Sequence, residues 1–141
     1  MSRLDRFLQA QEMSYDSALT ELKQGLKVGH WMWYIFPQIR GLGFSLKSQH
    51  YAIEDLEEAR AYLSHPVLGP RLMACTEAVN AIDGKSLYEI FADPDNLKFC
   101  SCMTLFARAS TEQSVFHFAL QKYCHGQMDH RTLSQLGEKE N

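Results

Sequence analysis

Residues 97 to 106 read LKFCSCMTLF, apolar on nearly every face that a helix can present. A helix of that kind is stable only when other elements surround it. Asp93-Pro94 can start it, so the sequence predicts a central, wholly buried helix with the remaining chain wrapped around it. The rest of the sequence carries helix periodicity and no clean strand alternation. Leu4, Phe7 and Leu8 predict a short first helix. Ser14 can cap a second, with Tyr15, Leu19, Leu22 and Leu26 on one face. Ile53, Leu56, Ala59 and Leu63 make another face, with Glu54 and Asp55 in its first turn, His65 just past its end and Pro66 ending it. Pro70 can open the next helix, which turns Leu72, Thr76, Val79 and Ile82 inward, and Gly84 is its stop. Ser86 and Glu89 form a capping-box pattern. Ser110 or Thr111 can cap a segment carrying Phe116, Ala119, Leu120 and Tyr123, ended by Gly126. Asp129 to Leu136 predicts a last short helix, and residues 138 to 141 a frayed tail.

These signals predict an all-α fold: a compact multihelical single domain with one long ordered Gly/Ser-containing loop. With 141 residues, one domain is the expectation. A chain of this length buries roughly two-thirds of its unfolded surface and needs neither disulfide nor metal to fold. The longest apolar runs, such as Trp31 to Phe36, are too short to cross a bilayer, so no membrane is expected as a partner. The N-terminus, Met1-Ser2-Arg3-Leu4-Asp5-Arg6, is charged at once and no apolar h-region follows. That argues against a secretory signal and for the cytoplasm. Cys75, Cys100, Cys102 and Cys124 contain no C-x-x-C pair. Cys100 and Cys102 point about 200° apart on a helix and cannot readily share a metal. All four are expected as core thiols in a reducing compartment.

The net charge of −3 conceals an asymmetry. Between Leu22 and Ile53 there are four basic residues, Lys23, Lys27, Arg40 and Lys47, and no acidic one; the remainder carries ten bases and seventeen acids. Local positive charge on an acidic chain suggests a small anionic ligand. Duplex nucleic acid, which asks for a wider basic surface, is not expected.

Residues 28 to 53, VGHWMWYIFPQIRGLGFSLKSQHYAI, hold both tryptophans and two of the six histidines. Pro37 biases Phe36 to an extended conformation and stops any helix there. The segment mixes large aromatic surface with hydrogen-bonding groups, as ligand pockets do. The ligand-binding candidates are Trp31, Trp33, Gln38, Arg40, Ser45, Ser48, His50 and Tyr51. Arg40 offers a permanently charged fork for carboxylate or phosphate, against a structural role pairing with the acidic face from Glu54 to Glu58. Gly41 and Gly43 let backbone approach an anion closely. Trp31 or Trp33 can stack on a planar ring or simply fill the core. His30 and His50 titrate near neutral pH and are the candidates for proton transfer, against a structural role for each. His117, Cys124, His125 and His130 match no zinc spacing, so no metal site and no cofactor is expected. No G-x-S-x-G elbow is present.

The block HWMWYIFPQIRGLG from His30 to Gly43 is distinctive. With Ser48, Tyr51, EEARAYLSHPVLGPRL at 57 to 72 and KFCSCMTLF at 98 to 106, it closely resembles the family called domain of unknown function 1810. The resemblance runs from Leu4 to about Leu136. It implies a compact multihelical fold and brings no characterised catalytic residue with it. Some members carry the label calpastatin, a calpain inhibitor. That inhibitor type is a largely disordered chain that folds on its target, whereas this sequence has the apolar content and helix punctuation of an autonomous core.

Two functions follow as expectations. The first is a site for a small anionic, partly planar ligand, a nucleotide or other phosphorylated metabolite, built by residues 30 to 51 and extending to a metal-independent hydrolase or transferase. The alternative is an adaptor that binds another protein through an exposed tryptophan-rich segment.

Overall fold

The chain is organised around one helix, Asp95–Ala109, in a computed structural model that describes residues 3–110 and 112–137. Phe99, Cys102, Met103, Leu105 and Phe106 of this helix are fully buried. Its polar residues stay buried by bonding backwards: Thr104 Oγ1 donates to the Cys100 carbonyl at 2.9 Å. In chain order the described helices are α1 Asp5–Glu12, α2 Tyr15–Gln24, α3 Met32–Ile35, α4 Leu46–His50, α5 Leu56–Ser64, α6 Leu68–Asn80, α7 Leu87–Phe91, α8 Asp95–Ala109, α9 Val115–Tyr123 and α10 His130–Gln135. α5, α7, α9 and α10 all pack on α8; α6 packs on α2, α5 and α9. No described residue lies in a named strand, so the fold is all-α; a single parallel bridge joins Ile39 to Ile53.

Aromatic rings lock the layers together. Phe36 meets Phe91 and Phe99 edge-on, with centroids 6.0 and 5.1 Å apart. Phe106 lies 5.4 Å from Tyr62 of α5 and 5.7 Å from Phe116 of α9. No described helix is long and apolar enough to cross a membrane.

Several local expectations change in the folded chain. Ser14 stands at the start of α2 but makes no capping bond; its hydroxyl accepts from Tyr34 Oη at 2.9 Å. Leu26 falls beyond α2 and is exposed, because Gly25 turns left-handed and ends the helix first. Asp55 is the cap of α5 rather than part of its first turn, and Ile53 sits in the bridge. α6 ends at Asn80, before Gly84. The cap of α9 is Ser114, not Ser110, in a reciprocal capping box with His117; Thr111 and residues 138 to 141 lie outside the described residues. The long Gly/Ser-containing loop runs into a one-turn helix, α4.

The cysteines also divide. Cys75 and Cys102 are buried thiols, and burial pushes the Cys75 pKa up to about 12. Cys100 and Cys124 are joined by a disulfide, which corrects the expectation of four free thiols. The reason is tertiary: packing of α9 on α8 brings together residues 24 apart in the chain.

Candidate functional site

Pro37 stops α3, and the chain leaves Phe36 in a non-helical conformation. It then pairs with itself across the base of a loop. Arg40 N donates to the Ile53 carbonyl at 2.9 Å, and Ile53 N donates to the Gln38 carbonyl at 2.8 Å. Residues 40 to 52 are thereby a closed excursion. Gly41 has φ +91° and lies where any Cβ would collide with the Gln135 side chain at 2.8 Å. At Gly43 a Cβ would meet the Ser48 side chain at 2.7 Å, so the loop folds tightly onto α4. Ser45 caps α4, accepting from Ser48 N at 3.1 Å, and Gln49 Nε2 donates to the Phe44 carbonyl at 3.0 Å.

Between this loop, the start of α8 and α10 lies a cavity of about 360 Å³. Trp33, Gln38, Arg40, Ser48 and Tyr51 line it, with Gly41 and Gly43. So do residues remote in sequence: Arg3, Lys98, Ser101 and Arg131. Glu54 is the acidic residue in the wall. Arg40, 65% exposed in its side chain, turns Nε to the Glu54 carboxylate at 3.4 Å. Arg131 Nη2 donates to the Leu42 carbonyl at 2.9 Å, tying α10 to the loop. Lys98 Nζ lies 3.6 Å from Asp95 Oδ1, and Arg3 Nε 3.6 Å from Glu58 Oε2. Arg3 is the more solvated of these two cations, and Asp95 is shared with Lys27, whose Nζ lies 2.9 Å from it. The ammonium groups of Lys47 and Lys98 lie 4.9 and 5.6 Å from the Trp33 ring centroid.

Three of the eight ligand-binding candidates lie elsewhere. Trp31 is only 3% exposed, and its Nε1 donates to Glu21 Oε1 at 2.9 Å. It belongs to the core. Ser45 is the cap of α4. His50 is exposed outside the wall; its ring stands edge-on to Tyr51 at 4.6 Å, and its carbonyl accepts from Arg6 Nε. His30 is exposed and does not line the cavity. The two histidines and Arg40 therefore share no wall, and the lining contains no histidine. Among the described residues no three His, Cys, Asp or Glu side chains gather to hold a metal ion.

Glu21 explains why Trp31 turns inward. Its Oε1 accepts from Val28 N at 2.7 Å and Gly29 N at 2.9 Å as well as from the indole. Burial raises its pKa, but the bonds from Gly29, Val28 and Trp31 and the charge of Lys27 outweigh this and hold it below its ordinary value of 4.5. A carboxyl whose folded pKa is lowered contributes stability above the unfolded pKa and loses it as pH falls through the folded one. Stability should therefore drop as pH falls from about 5 to about 3, and Glu21→Gln should flatten that drop. Urea midpoints at both pH values check this; equal slopes in both proteins would refute it.

The family model for a protein of unknown function (DUF1810) matches residues 1–136. The chain belongs to the DUF1810 family. It is also similar to the conserved hypothetical protein Rv1873 from Mycobacterium tuberculosis, known from a crystal structure, with 51% identity and a TM-score of 0.94. That match covers 96% of this chain and 97% of the other. No curated protein matches the chain.

The DUF1810 block His30 to Gly43 thus splits between core and cavity. Reading it alone missed Arg3, Lys98, Ser101 and Arg131. For two of them a local signal exists: Lys98 and Ser101 are three apart and so share one side of a helix whose other residues from Leu97 to Phe106 are mostly apolar. Arg3 and Arg131 carry no such signal, since nothing local relates them to residues 30 to 51.

Proposed function

We propose that this cavity binds a small anionic ligand with a planar portion, a nucleotide or other phosphorylated metabolite. The observation that carries the reading is a charge imbalance. Four cationic side chains, Arg3, Arg40, Lys98 and Arg131, line one cavity on a chain of net charge −3; Glu54 is the carboxylate in the lining, and Glu58 and Asp95, outside it, pair with Arg3 and Lys98. A low-dielectric wall focuses such charge on an anion. The volume falls within the roughly 300–1,000 Å³ of small-molecule sites, and the Trp33 indole supplies a flat apolar wall. Hydrolase or transferase chemistry calls for His30 and His50 as proton-transfer groups at the wall. Both stand outside the wall, so the proposal is one of binding. Calorimetric titration with inorganic pyrophosphate tests it. The expected result is saturable binding that weakens with salt; no heat at millimolar pyrophosphate in low salt would overturn it.

The protein-binding alternative draws support from a different pair of side chains than the tryptophans. Phe44 and Leu46 are 87% and 86% exposed on a loop pinned by Gln49 and Ser45. Association through this tip, with a second copy as the simplest partner, predicts a sedimentation mass that rises with concentration. Phe44→Ser with Leu46→Ser should abolish that rise, and a monomer at every concentration speaks against it.

A further inference from the structure

The polar groups of the aromatic segment fall into two sets. Some are satisfied by protein: Trp31 Nε1 by Glu21, Tyr34 Oη by Ser14 and, in the cavity wall, Ser48 Oγ by Ser45 Oγ and Gln49 Nε2 by the Phe44 carbonyl. In the cavity wall, the Gln38 amide, the Trp33 Nε1 and the Tyr51 hydroxyl make no hydrogen bond to protein among the described residues. Gln38 is half-buried and fixed through its backbone, whose carbonyl accepts from Ile53 N. Its side-chain amide lines the wall and carries a donor and an acceptor side by side. That pairing is complementary to a nucleobase edge; glutamine matches the N6 and N7 of adenine with two bonds. An ionised phosphate presents acceptors only.

The same wall joins this neutral surface to the cations. The ammonium group of Lys98, in the lining, lies 5.6 Å from the Trp33 ring centroid, so a cation and the flat apolar surface meet at one indole. Resting on the anionic-ligand reading above, we infer that the ligand is a nucleoside phosphate: its phosphate lies among Arg40, Lys98 and Arg131, its base against Trp33, and Gln38 bonds the base edge and sets base preference.

Three probes separate this inference from the reading beneath it: AMP, ribose 5-phosphate and inorganic phosphate, each titrated calorimetrically. AMP should bind at least about tenfold more tightly than ribose 5-phosphate, the increment a base-edge bond pair supplies. Gln38→Leu should bring AMP down to the level of ribose 5-phosphate and leave ribose 5-phosphate itself unchanged. Gln38→Glu, which only accepts, should move preference from AMP toward CMP, whose N4 only donates. AMP and ribose 5-phosphate binding equally well would overturn the nucleoside inference while the anion site stands. AMP preferred but unaffected by either Gln38 substitution would remove Gln38 as the base reader. No binding of any of the three would end both readings.

Discussion

Phe106→Ala is expected to destabilise the protein by about 3–5 kcal/mol. Phe106 is fully buried in the last turn of α8, the helix on which α5, α7, α9 and α10 pack. Its ring is wedged between Tyr62 and Phe116, which stand on different helices and cannot both follow a retreating side chain. Truncation therefore loses the transfer free energy of the ring and also leaves a cavity that the neighbours close only in part. Urea unfolding followed by circular dichroism should show a lower midpoint with an unchanged slope. Phe118→Ala, in the exposed face of α9, is the control and should stay within about 0.5 kcal/mol of the parent. A loss below about 1 kcal/mol at Phe106 would mean that α8 is not the packed centre of the molecule.

Arg40→Ala with Arg131→Ala should weaken pyrophosphate binding at least a hundredfold, about 3 kcal/mol or more, while leaving the fold intact. Each guanidinium bonded to an anion contributes about 1.5–3 kcal/mol. Arg40 is largely solvated, and its contact with Glu54 is of the exposed kind that contributes little to stability. Arg131 holds the Leu42 carbonyl, so its removal loosens the loop without opening the core. Calorimetry should show the loss, with an unchanged circular dichroism spectrum. Arg60→Ala, an equal change of charge per site on the exposed side of α5, separates local contact from the general field. Equal weakening by the Arg60 variant would show that the cavity arginines act only through net charge; an unfolded double variant would make them structural bridges and remove them from the site.

Helices that carry their own punctuation were legible before folding. The Ser86–Glu89 capping box forms as its spacing requires. α8 is buried as its composition requires, and Pro37 ends α3. Caps failed where a serine had a second use: Ser14 serves Tyr34, and Ser114 displaces Ser110 because only it can exchange bonds with His117. The Cys100–Cys124 disulfide was illegible because no local pattern reports which helices will pack side by side.

Residues 28 to 53 show the same division at the site. Composition alone determined that this stretch is aromatic and free of acids, and that Pro37, Gly41 and Gly43 make it a turn rather than one long helix. Which of its side chains line the cavity was decided by tertiary structure. Trp31 and Trp33 are two residues apart, so helical geometry sends them to opposite sides; Glu21 takes the first into the core, and α8 and α10 close a cationic wall around the second. Periodicity relates neighbours along the chain. A cavity is made by surfaces that meet from distant parts of it, so Arg3, Lys98 and Arg131 joined Arg40 only once the helices had packed.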